Sequence, residues 1–146
     1  RSNRAKISEH EQKSRSGLNE YLKLNERDGE PYLHLADLDH LLGNDENIYD
    51  LICIARTKGH RSPHASLLMG RYYCARFEDE SALAEFNDAV ELCSHSPYYS
   101  ALVARAQLLF NMGNIEKAKD DLKVVLNHWP DDSYAKSLYE YWQPID

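Results

Sequence analysis

Three stretches of this chain repeat one spacing of small and large apolar residues, at offsets of 34 and then 36 residues. The pattern is plainest in "NMGNIEKAKDDLKVVLNHWPDD", Asn111 to Asp132. Ile115, Ala118, Leu122 and Val125 fall three or four apart there, which places them on one face of a helix. Leu102, Ala106 and Leu109 form the face of a preceding helix, Gly113-Asn114 breaks it, and Pro130, lacking an N–H, ends the second. Tyr99 to Asp132 therefore reads as helix, turn, helix, turn.

Earlier in the chain Ala82, Phe86 and Ala89 repeat the intervals of Ala118, Leu122 and Val125, while Gly70 and Tyr73 stand where Ala106 and Leu109 stand later. One unit further back lie Tyr32, Leu35, Ala36 and Gly43, then Ile48, Ile52 and Ala55. The first helix offers Gly17, Tyr21 and Leu24 at the same steps, followed by Pro31. Small residues on the first helix (Ala36, Gly70, Ala106) permit a close approach of the second, which meets them with Ala82 or Ala118. Large residues such as Tyr73, Leu109, Phe86 and Leu122 fill the surrounding space. A lone hairpin cannot bury such a face, but a stack of hairpins can. Strand patterning is weak throughout, so the fold class is all-α.

These residues resemble the tetratricopeptide repeat (TPR) family. The resemblance implies a TPR-like solenoid of about three helical hairpins, with an extra N-terminal helix and a C-terminal capping helix. Its repeat domain spans 17–132, with units of about 29–62, 63–98 and 99–132 and a partial unit before 29. Arg105 and Asp39 depart from the family's apolar preference, Ile48 replaces a small residue, and Val125 is bulkier than the usual Ala. Residues 133–146 supply the capping helix, with Asp132 or Ser133 as its N-cap and Tyr134, Leu138 and Tyr141 along one face beside Trp142. Those four aromatic and aliphatic residues form either the cover of the last hydrophobic edge or a docking patch for a partner or a further repeat.

The net charge of −7 opposes nucleic-acid binding, which draws its affinity from phosphate neutralisation. Residues 1–16 are the basic exception, with Arg1, Arg4, Lys6, Lys13 and Arg15. They read as a linker or the start of the first helix, or else as a tail touching phosphates or acidic lipid. No segment carries the roughly 18 apolar residues of a membrane helix. The opening "RSNRAK" lacks a Met and suggests a fragment of a longer protein. The compartment stays open; a membrane-anchored protein with this part on its cytoplasmic or periplasmic side is one compatible reading, and any contact with a membrane would be indirect. Cys53, Cys74 and Cys93 are odd in number and far apart, which suits buried thiols rather than disulfides or a metal site.

No catalytic constellation is evident. His34, Asp37 and His40 are three apart and smear around the helix rather than converging as metal ligands do. His60 and His64 flank a turn at Pro63. No phosphate loop or nucleophile elbow is present, and the paired acids are adjacent in sequence. No cofactor is expected.

The family resemblance implies a concave groove lined by the first helix of each hairpin. On this chain it would comprise Leu33, Asp37 and His40, then His64, Leu67, Arg71 and Cys74, then Val103, Gln107, Phe110 and Asn111, with Leu67, Arg71 and Phe110 as anchors. The stations that clamp a terminal carboxylate in chaperone-binding relatives hold Leu33, Asp37, Leu68, Ser100 and Ala104, which argues against that role. The expected function is a non-catalytic scaffold that binds a peptide or helix of a protein partner, within a larger assembly or secretion machinery. The alternatives are an accessory domain of an enzyme and self-association through the terminal helices.

Overall fold

The computed structural model describes residues 28–143, together with residues 9, 12–14, 16, 17 and 20, which are helical. Tyr21 and Leu24 of the first repeat-like helix, and Arg1, Arg4, Lys6 and Arg15 of the basic segment, lie outside the described residues. The described residues form helices joined by short turns: α1 (Glu30–Leu42), a 3₁₀ turn (Asp45–Asn47), α2 (Ile48–Thr57), α3 (Pro63–Ala75), α4 (Asp79–Leu92), α5 (Tyr99–Asn111), α6 (Ile115–His128) and α7 (Ser133–Tyr141). None of these helices is long and apolar enough to cross a membrane. The chain divides into two compact units, Arg1–Arg61 and Ser62–Asp146.

In the first unit, α1 buries Leu35 and Ala36, and α2 buries Ile48, Ile52 and Ala55, the residues picked out by their spacing. Asp39 is fully buried as well. At the end of α1, Gly43 adopts a left-handed φ of 78°. Its N–H bonds to the His40 carbonyl at 3.1 Å and the Asn44 N–H to the Asp39 carbonyl at 2.7 Å, which closes the helix. Leu33 and Asp37 are half-buried on α1, whereas His34 and His40 are exposed. Each of those histidines lies near its own acid, Glu30 and Asp45 respectively.

The second unit contains two hairpins and the terminal helix. Ser62 caps α3 by accepting the Ala65 N–H at 3.0 Å, and Pro63 follows at the first helical position. Helix α3 buries six consecutive residues, Ala65 to Gly70, so it is enclosed around most of its circumference. Gly70 meets Phe86 of α4 so closely that an added Cβ would stand 2.2 Å from the ring. Ala82, Phe86 and Ala89 of α4 join Leu67, Ala101 and Leu108 in one core cluster. A second cluster brings Leu102, Ala106 and Leu109 of α5 together with Ala118, Leu122 and Val125 of α6 and Ala135 and Trp142 at the C-terminal end. Ile115, expected on the buried face of α6, is instead exposed at the first residue of the helix.

Arg105 occupies a position where the repeat pattern prefers an apolar residue, and the structure supplies its partners. Its Nε and Nη2 donate to the two carboxylate oxygens of Asp121 at 2.8 and 2.7 Å, and Nη1 donates to Asn87 at 3.0 Å. The guanidinium thus ties α5 to both α6 and α4. With side chains only 20% and 9% exposed, the Arg105–Asp121 pair is largely withdrawn from water.

Two stability predictions arise from these contacts. Gly70→Ala should destabilise by about 2 kcal/mol through overpacking against Phe86. Gly70→Ala/Phe86→Leu should recover part of that loss in a urea-denaturation double-mutant cycle. Arg105→Ala should cost about 3 kcal/mol because it strands the Asp121 carboxylate, whereas Arg105→Met/Asp121→Leu should recover most of the loss in the same assay.

Candidate functional site

In the second unit, α3, α5 and α7 border a groove of about 690 Å³. Arg71 and Cys74 of α3 form one side, with Phe77 from the α3–α4 connection and Asp79 at the start of α4. Helix α5 contributes Tyr99, Ser100, Val103, Ala104, Gln107, Leu108 and Asn111 at three- and four-residue steps, and Tyr134 of α7 closes the far end. Gln107 Nε2 donates to the Tyr134 hydroxyl, joining α5 to α7 across the groove. The Tyr99 hydroxyl donates to Asp132 Oδ1 at 3.1 Å, and the same oxygen accepts the Ala135 N–H at 2.7 Å as the N-cap of α7. Tyr99 also meets Trp129 edge-on at 5.4 Å. A ring-and-carboxylate latch therefore holds α5 to the start of α7, two of the three helices that border the groove.

Five residues expected in the groove line it: Arg71, Cys74, Val103, Gln107 and Asn111. Ser100 and Ala104, the neutral stations read against carboxylate clamping, line it too. Other expectations need correction. Leu67 is 2% exposed and packs in the core with Phe86 and Ala82, so it is not an accessible anchor. Phe110 is half-buried and stacks on Trp142, with ring centroids 4.6 Å apart and an interplanar angle of 11°. That stacking makes Trp142 part of the core and removes it from any exposed patch. His64 is exposed at the start of α3, with its ring 3.3 Å from the Tyr98 hydroxyl. Leu33, Asp37 and His40 belong to the first unit.

The proposed C-terminal patch is divided in the same way. The face of α7 turned to the core carries Ala135, Leu138 and Tyr139, followed by Trp142. Tyr134 belongs to the groove, and Tyr141 is 79% exposed. Spacing put Tyr134, Leu138 and Tyr141 on one face, as a cover for the last hydrophobic edge or a docking patch, whereas the buried residue of the helix is Ala135. Phe77 was missed altogether; its signal was the absence of Gly at a position where the other two hairpins carry one.

Cys74, with its thiol raised by burial and then by the Asp79 carboxylate, is poor in the nucleophilic thiolate at neutral pH. All three cysteines are free and half-buried. Among the described residues, no group of three or more His, Cys, Asp and Glu side chains is arranged to hold a metal ion.

No family model matches the chain, and no curated protein matches it. Solved structures do match its fold. A crystal structure of MamA aligns over 88% of this chain and 74% of its own length, at TM-score 0.76 and 16% identity. A second MamA structure covers 96% of this chain and 81% of its own, at TM-score 0.73 and 15% identity. YrrB, described as a TPR protein with an unusual peptide-binding site, covers 91% of this chain and 68% of its own, at TM-score 0.74 and 16% identity. The fold is thus an all-α TPR-like solenoid, as the repeat spacing indicates.

The latch predicts an alkaline dependence of stability. Tyr99 is raised above the usual 10.0 by burial, then by its hydrogen bond to Asp132 and by that carboxylate's charge. The folded state therefore holds the proton more tightly than the unfolded state. This contribution is intact below about pH 10 and is lost as pH rises through the folded pKa. In pH-dependent urea melts, wild type should lose stability relative to Tyr99→Phe above pH 10 and keep a constant offset below it.

Proposed function

We propose that this chain is a non-catalytic protein-interaction module that binds an extended or helical segment of a partner protein in the α3–α5–α7 groove. The observation that carries this reading is the groove itself. It is a 690 Å³ concavity walled by aromatic and aliphatic groups and studded with Arg71, Gln107, Asn111 and Tyr134, which can orient a backbone. Resemblance in fold to YrrB, a protein whose description includes a peptide-binding site, supports the same reading. Phe110 and Leu67 act through the core that shapes the groove, while Arg71, Gln107 and Asn111 offer the accessible contacts.

The test is selection of binders from a displayed library of random 12-residue peptides, followed by calorimetry on synthetic copies. Ala104→Arg, which places a long side chain in the groove, should reduce affinity by at least about tenfold at nearly unchanged stability. Tyr141→Ala, at an exposed residue absent from the groove lining, should leave affinity unchanged. Peptides that bind Ala104→Arg as well as wild type would move recognition to another face.

A further inference from the structure

The turn between α3 and α4 carries a residue that folding does not explain. Phe77 has a left-handed φ of 58° and is the only non-glycine residue at positive φ among the described residues. Its backbone reproduces the closure seen in the other two hairpins. The Phe77 N–H bonds to the Cys74 carbonyl and the Glu78 N–H to the Tyr73 carbonyl, both at 3.0 Å. Gly113 and Asn114 make the matching bonds to Phe110 and Leu109, as Gly43 and Asn44 do to His40 and Asp39. Glycine meets this geometry without a Cβ clash, and phenylalanine does not. Burial offers no return for that strain, because Phe77 is 90% exposed. Phe77 is nonetheless one of the residues that line the groove.

We propose that Phe77 is the apolar anchor of the groove and selects partner segments in which an aromatic or branched aliphatic side chain is flanked by Lys or Arg. This rests on the groove reading above and adds the chemistry of its occupant. Strain held at an exposed aromatic beside a groove is accounted for when a partner covers the ring. The flanking charge comes from the residues that follow it. Glu78, Asp79 and Glu80 are all exposed, and none forms an ion pair among the described residues. Of the nearby bases, Arg76 lies over the Tyr72 ring at 3.6 Å, and Arg71 lies further back along α3. A cationic neighbour of the anchor is therefore favoured on the side of the acidic turn. The chain's net charge of −7 adds long-range attraction of the same sign.

The experiment uses the 146-residue chain and the displayed 12-residue library, with Phe77→Ala, Phe77→Gly and Glu78→Lys/Glu80→Lys compared with wild type. The expected consensus pairs an apolar residue with Lys or Arg, and a synthetic consensus peptide should bind more weakly in high salt. Both Phe77 variants should weaken that peptide by about tenfold. Phe77→Gly should at the same time raise the melting temperature by about 4 °C, since it releases the backbone strain. Phe77→Ala removes the ring but keeps a Cβ at positive φ, so it should lose affinity without that gain. The charge-reversed variant should switch its selected consensus towards Asp and Glu. Unchanged affinity in both Phe77 variants, with loss in Ala104→Arg, overturns the anchor and leaves the groove reading standing. A consensus without basic residues overturns the assigned chemistry. Binders indifferent to Ala104→Arg as well, or a library that gives no wild-type binder, overturn both readings.

Discussion

The approach of Gly70 to Phe86 governs how the second unit is put together. With 2.2 Å between the ring and the place a Cβ would occupy, the two helices meet at a separation that only glycine allows. That approach seats Phe86 in the core beside Ala82 and Ala89, and next to Ala101 and Leu108 of α5. Helix α5 is thereby positioned with one side in the core and the other in the groove, so a single small residue on α3 helps set the groove's width. The following hairpin uses Ala106 against Ala118 and Leu122 for the same purpose. Close packing makes such contacts intolerant of even one added methyl group.

Arg105 shows a second way of fixing neighbouring helices. An apolar residue there would contribute area without direction, whereas the guanidinium fork has a fixed geometry and three acceptors on two other helices. Its partners Asn87 and Asp121 lie on the second helices of successive hairpins. The network therefore specifies the register between hairpins, while the small-residue contacts specify the distance within each. Those are separate constraints, and a repeat stack needs both.

The helical hairpins were legible in sequence because their two determinants are local: a period near 3.6 and turn residues at fixed offsets. Ala82, Phe86, Ala89, Ala118, Leu122 and Val125 are all buried where spacing placed them. The groove was legible only in part. Helix α3 is apolar around most of its circumference, so periodicity cannot separate Leu67, which faces the core, from Arg71 and Cys74, which line the groove. Phe110 looks like an exposed anchor in a linear reading, yet it stacks on Trp142, which takes the covering role that was one of its two readings. Such pairing depends on where α7 lands on α5, which no local pattern encodes. Arg105 looked like a departure from the pattern for the same reason, since its acceptors lie 16 and 18 residues away.

The division of labour between core and groove has a consequence for how recognition can vary on this scaffold. Fully buried alanines and aliphatics hold the helices, and changing them alters packing everywhere they touch. Arg71, Ala104, Gln107 and Asn111 are exposed or half-buried, so substitution there changes the chemistry of the groove at small cost to the fold. Phe77 stands apart from both groups. It buries little area and occupies a backbone conformation that favours glycine, while its position beside the groove is favourable for contact. The two bonds that close α3 hold the Phe77 backbone in that conformation, but they would form equally well with glycine, so the aromatic ring itself is what the proposed partner contact accounts for. The acidic turn that follows it then supplies charge at the point where a partner's apolar side chain would enter, which couples hydrophobic anchoring to electrostatic selection at one connection of the fold.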